Sequence, residues 1–158
     1  MKLCLAASSG GHYEQLMMLR PLAEKHSCFV LTERTDYASA DKKLKTYYVA
    51  QMNRKEWTVG FKLVGAAFKS LYIILRERPD AIICTGVLAM VPMCLLMKLF
   101  GKKLIYIESF AKTDSPTLTG KLLYKYADQF YVQWESMLAV YPKAVSYTHL
   151  TLPTMAVV

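Results

Sequence analysis

The sequence predicts an α/β domain in which a Rossmann-like parallel sheet carries helices on both faces. Three observations predict it. Six short apolar runs, over 2–7, 28–32, 46–50, 80–85, 103–107 and 129–133, have strand length. Segments of helical length separate most of them, and strands alternating with helices imply right-handed crossovers into a parallel sheet. No internal repeat or linker interrupts the pattern, and 158 residues suit one domain with a substantial core.

The elements follow in order. Lys2 to Ala7 is an apolar first strand closed by the small-residue loop Ser8-Ser9-Gly10-Gly11. Tyr13 to His26 has Leu16, Leu19 and Leu22 on one helical face, with Pro21 predicting a break near Arg20. Cys28 to Thr32 is the second strand, Asp36 to Leu44 a short polar helix, Thr46 to Ala50 the third strand, and 51–56 a polar loop. Trp57 to Arg78 is the longest helix, with Trp57, Phe61, Val64, Phe68, Leu71, Tyr72 and Leu75 on one face. Lys62, Lys69 and Arg76 form a basic stripe beside that face, and Leu63 and Ile74 give a second apolar side. Two readings stand for this helix: packed on the sheet with a solvated charged stripe, or interfacial, dipping apolar residues into a membrane while its cations meet phosphates.

Residues 80–85 form the fourth strand, leaving through Thr85-Gly86. Leu88 to Phe100 is an apolar helix with Pro92 in its first turns, where proline is tolerated. No charge interrupts Ala81 to Met97, yet Gly86 and Pro92 divide that run into strand-sized and helix-sized pieces, which argues against a membrane span. Lys103 to Ile107 is the fifth strand, 108–117 a polar loop, Leu118 to Ala127 a helix, Gln129 to Gln133 the sixth strand and Trp134 to Tyr141 a last short helix.

Composition narrows the chemistry. Twenty Lys and Arg against twelve Asp and Glu give a net charge of +8, which favours an anionic partner. A hydrophobic fraction of 54% and a mean hydropathy of +0.19 argue against a nucleic-acid module and for a domain with extra apolar surface beside a membrane. Cys4, Cys28, Cys84 and Cys94 lack CxxC spacing, so they read as small core hydrophobes in a reducing compartment, without a metal site. Met1-Lys2 leads into a strand too short for the apolar core of a signal peptide.

In a parallel sheet ligands bind beyond the carboxyl ends of the strands. Three polar turns are predicted there: Ser8 to His12, Thr85-Gly86 and Glu108-Ser109. The first leads from a strand into a helix start, where free N–H groups and the helix dipole suit a phosphate or diphosphate without a cofactor. His12 stands where it could act as a base or donate to that anion, or simply be an exposed first-turn histidine.

Five motifs in order carry a family likeness: Ser8-Ser9-Gly10-Gly11-His12, Cys84-Thr85-Gly86 before Val91-Pro92, Tyr106-Ile107-Glu108-Ser109, the run from Ser115 to Tyr124, and Val132-Gln133-Trp134. Over about residues 1–145 the chain resembles the polysaccharide-biosynthesis proteins of bacterial capsule clusters, accessory subunits of a two-chain glycosyltransferase. It is similar to the membrane subunit of the eukaryotic enzyme that adds the second GlcNAc to dolichol-diphosphate-GlcNAc. More distantly it resembles the amino-terminal domain of the GT-B transferase that makes lipid II. The resemblance implies the acceptor-side half of a split GT-B enzyme on the cytoplasmic face of a bacterial plasma membrane. A partner chain would bind the UDP-sugar, and the acceptor would be a polyprenyl-diphosphate-linked sugar.

The resemblance further implies His12 and Glu108 as catalytic, either one being the base. It puts Ser8, Ser9, Gly10, Gly11, Thr85, Gly86, Ser109 and Lys121 around the acceptor diphosphate, with no metal. Thr113, Ser115 and Thr117 contact sugar or phosphate in this reading, or cap a helix; Gln133 and Trp134 lie at the subunit interface or inside the domain. The eukaryotic relatives carry an amino-terminal span absent here, so surface helices or the partner would hold this chain at the membrane. After Val145 the sequence changes character, and residues 146–158, His149 included, read as an added, non-native tail. Two other readings compete. One is a non-catalytic membrane scaffold for the partner. The other is a nucleotide-binding oxidoreductase with Glu33 on a ribose, although the first loop lacks GxGxxG.

Overall fold

The computed structural model describes residues 1–35, 43–53 and 55–147. Its seven strands are β1 (Lys2–Ala7), β2 (Ser27–Arg34), β3 (Lys45–Ala50), β4 (Ala81–Cys84), β5 (Lys103–Ile107), β6 (Gln129–Val132) and β7 (Val145–Ser146). They lie in the order β3-β2-β1-β4-β5-β6-β7, every pair parallel. The order reverses between β1 and β4, which places the crevice of a doubly wound sheet above those two strands. The Rossmann-like expectation is met.

The helices are α1 (Gly11–Met17), α2 (Leu22–Lys25), α3 (Val59–Glu77), α4 (Val91–Leu99) and α5 (Leu118–Leu123). The single helix expected over 13–26 is two, because Pro21 cannot continue the hydrogen-bond ladder. A 3-10 turn, Leu88–Met90, precedes α4, and Pro92 sits in the first turn of that helix. The helix expected over 134–141 is a 3-10 segment, Glu135–Ala139. The helix expected over 36–44 falls mostly outside the described residues.

Alternation along the strands divides the core. Cys4, Ala6, Phe29, Leu31, Ile82, Cys84, Leu104 and Tyr106 face one way, against α3, α4 and α5. Leu5, Ala7, Val30, Ile83, Ile105 and Ile107 face the other, with Leu16 and Leu19 from the α1 region. The cysteines lie where expected, Cys4, Cys28 and Cys84 in strands and Cys94 in α4, and all four are free thiols. Burial pushes the Cys4 thiol pKa well up, so it behaves as a hydrophobe.

Helix α3 packs on the core as one reading expected, but by the side that carries Ile74 and not by the side from Trp57 to Leu75. It meets the core through Ala66, Ser70, Ile73, Ile74 and Glu77. Trp57, Phe61, Val64, Phe68, Tyr72 and Leu75 instead face outward, with Trp57 89%, Phe61 78% and Phe68 71% exposed. Glu77 fixes the far end of the helix to the sheet, accepting from Lys2 Nζ at 2.5 Å, Lys45 Nζ at 2.5 Å and the Tyr47 hydroxyl.

β7 was not foreseen. It pairs Val132 with Ser146, and Tyr147 N donates to Val132 O at 2.9 Å, so the sheet runs through the expected boundary at 146.

Candidate functional site

Three loops leave the carboxyl ends of β1, β4 and β5 and meet at the switch point. The first turns at Gly10, whose φ of 80° suits glycine, and its carbonyl accepts the N–H groups of Tyr13 and Glu14 to start α1. Ser8 is buried, Ser9 is half-buried, and Gly10 and Gly11 are exposed at the rim. Helix geometry leaves the first-turn N–H groups free of intrahelical acceptors.

Thr85 ties the second loop to the first, its hydroxyl donating to the His12 carbonyl at 3.0 Å. Gly86 follows at φ 115°, and Val87 at φ 86°. A β-branched residue in that region is strained, and such strain persists where the surroundings impose it. A β-carbon on Gly86 would come 3.3 Å from His12 Cε1 and 3.3 Å from the Tyr106 hydroxyl. Glycine is therefore needed here for both its φ and its missing side chain. The His12 Nδ1 is enclosed and makes no hydrogen bond.

Glu108 closes the third loop, and it is only 1% exposed. Its Oε1 accepts Ser109 N at 2.9 Å and the Thr117 hydroxyl at 2.9 Å. Its Oε2 accepts the Tyr141 hydroxyl at 2.9 Å and Thr117 N at 3.3 Å. A β-carbon on Gly120 would collide with that carboxylate. Burial first, then the Glu108 charge, push the Tyr141 phenol pKa upward. Gln15 from α1 donates to the Glu108 carbonyl at 3.3 Å, joining first and third loops.

The expected residues thus divide. His12, Thr85, Gly86 and Glu108 belong to one connected group, joined through Tyr106 and Thr117, with Ser8 to Gly11 and Ser109 at its border. Lys121 is exposed on α5, outside the hydrogen-bonded group. Thr117 is a helix cap: its oxygen accepts Gly120 N at 2.9 Å. Ser115 is exposed, and the Thr113 carbonyl accepts the Ser136 hydroxyl. Gln133 is buried, while Trp134 is partly exposed and donates to the Phe110 carbonyl at 2.7 Å. Glu33 is buried and accepts Met52 N at 3.0 Å, so its carboxylate is turned inward rather than offered to a ribose.

Tyr106, Gly120, Tyr141 and Gln15 were missed by sequence reasoning. Tyr106 had a signal, since positions two apart on a strand share a face and Glu108 follows it by two. Tyr141 and Gly120 reach Glu108 only through the fold.

The family described as "Oligosaccharide biosynthesis protein Alg14 like" matches residues 3–150. The chain belongs to the Alg14 family. The Alg14 relative from Homo sapiens, "UDP-N-acetylglucosamine transferase subunit ALG14", is 27% identical over 175 residues, covering 92% of this chain and 81% of that protein. The Alg14 protein of Schizosaccharomyces pombe, of the same description, is 42% identical over 71 residues, covering 42% of this chain and 34% of its own length. Among solved structures, Acinetobacter baumannii MurG matches with a TM-score of 0.71 at 17% identity, over 86% of this chain and 43% of that one. The UDP-N-acetylglucosamine 2-epimerase of Rickettsia bellii matches with 0.70 at 13% identity, over 92% of this chain and 44% of that one. This Alg14-family chain therefore has the fold of part of these two solved structures and spans less than half the length of either. Among the described residues no helix is long and apolar enough to cross a membrane.

Proposed function

We propose that this chain is the acceptor-side subunit of a two-chain transferase that adds N-acetylglucosamine to a polyprenyl-diphosphate-linked sugar. A separate chain binds UDP-N-acetylglucosamine over the sheet crevice. The observation that carries the reading is the meeting of His12, Gly86 and Glu108-anchored Tyr106 and Thr117 at the switch point, beside the α1 start. Glycosyl transfer needs a base at the acceptor hydroxyl and neutralisation of a diphosphate. In this proposal His12 takes the hydroxyl proton. Ser8 to Gly11, Thr85 and Ser109 surround the diphosphate, and Lys121 approaches it from α5. Glu108, bonded on both oxygens, holds the third loop in place.

The membrane part of the reading rests on α3. Its outward apolar face is accompanied by Lys62, Lys69 and Arg76, while its single carboxylate, Glu77, is buried and paired. Sinking each large side chain into an apolar phase contributes about 2 kcal/mol. The chain would then rest on the cytoplasmic face of a plasma membrane, in a bacterium, as a domain of about residues 1–145 followed by an added segment whose first residues, Ser146 and Tyr147, pair with β6. Resequencing the locus tests that boundary: codons contiguous through 146–158 in the gene would remove it.

Reconstitution tests the function. The chain alone is expected to transfer little from UDP-N-acetylglucosamine to the lipid acceptor, and adding the partner is expected to restore transfer. His12→Ala should lower the rate of the pair by about 10²-fold or more. Full activity of the paired His12→Ala variant would favour the scaffold instead.

A further inference from the structure

The turn after β4 has to cross from one face of the sheet to the other. Ile83 packs on the α1 side and Cys84 on the side of α3 and α4, so alternation turns Thr85 back towards α1. Thr85 N donates to Ala6 O at 3.1 Å, which carries the ladder between β1 and β4 one residue past Cys84. The 3-10 turn Leu88–Met90 and α4 belong to the opposite layer, where Ala89, Met90 and Met93 are core residues. Gly86 and Val87 are left to make the crossing, and both have positive φ, 115° and 86°.

Only one of those two residues is a glycine. Val87 has φ 86° and ψ 137°, a region that a β-branched residue enters only under strain and keeps only where its surroundings over-determine it. Both ends of the turn are held. On one face Thr85 is fully buried, and its hydroxyl donates to the His12 carbonyl at 3.0 Å. On the other the Val87 side chain packs against the core that α3 and α4 share, and its carbonyl accepts Met90 N at 3.1 Å. Gly86 stands between them, with His12 Cε1 3.3 Å from the place of its missing β-carbon. A hydroxyl has one proton, and that of Thr85 is spent on His12, so the side chain has none left to donate to an anion.

We propose that Thr85 and Val87 are positioning residues for His12, the two fixed ends of a taut turn that sets where the imidazole stands at the switch point. The Thr85 hydroxyl ties the first turn of α1 to the end of β4. The Val87 side chain stops the turn from relaxing away from His12, which a glycine with its free φ would permit. Thr85 thus borders the diphosphate of the proposed acceptor but acts through the His12 main chain, not by a bond to that anion. The kinetic consequence rests on the reading of His12 as the base; the placement of the ring does not.

The ¹H–¹³C signal of the His12 ring in the labelled chain reads that placement without a substrate, with His26 as the internal control. Thr85→Val keeps the shape of the side chain and removes the hydroxyl. It should move or broaden the His12 signal and leave that of His26 alone, and Thr85→Ser, which keeps a hydroxyl, should return it. Val87→Gly should move the same signal while Tm changes by less than about 5 °C, since lost packing and relieved strain oppose one another. In the reconstituted pair, Thr85→Val should lower kcat roughly tenfold with the acceptor KM unchanged, and Thr85→Ser should recover most of that loss. An unmoved His12 signal in either Thr85→Val or Val87→Gly would overturn the proposal, as would a Thr85→Ser variant as impaired as Thr85→Val. A raised acceptor KM with unchanged kcat would overturn it too, by making Thr85 a contact of the acceptor. If Thr85→Val does not fold, Val87→Gly decides. A displaced His12 signal in a chain that never supports transfer would defeat the functional reading and leave this one standing.

Discussion

Glu108 and His12 show how differently two residues at one rim can be held. Both oxygens of Glu108 are bonded inside the protein, to Ser109, Thr117 and Tyr141. Replacing it by alanine strands those donors in a buried space, which costs about 3 kcal/mol or more. Urea denaturation of Glu108→Ala should show that loss, whereas His12→Ala, half-buried and with an unbonded Nδ1, should change stability by under about 1 kcal/mol. Gly120→Ala should destabilise as Glu108→Ala does, because its β-carbon meets the carboxylate and the Tyr141 and Thr117 oxygens. The small-residue loop and His12 were legible from the sequence, being contiguous after an apolar run. The inward commitment of Glu108 was not, because Thr117 and Tyr141 come from 9 and 33 residues away.

At the scale of the element, α3 separates amphipathicity from burial. Periodicity identified two apolar sides, Trp57 to Leu75 on one and Leu63 with Ile74 on the other, and could not say which meets the sheet. The side with smaller residues packs, since Ala66 and Ser70 allow close approach to the neighbouring core. The aromatic side remains outside. Phe61→Glu with Phe68→Glu should therefore leave Tm nearly unchanged. The same pair should abolish flotation of the chain with vesicles containing anionic lipid. Unchanged flotation would remove α3 from the membrane contact.

The same helix ends in a pH-sensitive tie. Hydrogen bonds from Lys2, then Lys45 and Tyr47, lower the Glu77 carboxyl from 4.5 to about 2. Its folded value lies below its unfolded one, so its stabilisation is fully present above pH 4.5 and disappears as pH falls towards 2. Glu77→Gln should flatten that limb of the stability curve, measured by thermal unfolding across the acid range.

At the scale of the whole molecule, the strand order places its reversal between β1 and β4, directly below the His12 and Gly86 loops. On the proposed function a second chain covers the same crevice, and the pair should protect it. Hydrogen exchange of the backbone over 8–12 and 85–88 is expected to slow when the partner binds, and equal exchange with and without it would contradict a shared cleft.

By itself the sequence determined the fold class, most of the strands and the loops that end them, because alternation, length and turn chemistry are local properties. Only the tertiary structure decided which face of α3 is buried, that Glu108 is an internal tie, and that His12 and Tyr106 both border the space a Gly86 side chain would fill. Those depend on distances between residues far apart in the chain, which are set when the layers pack and not before.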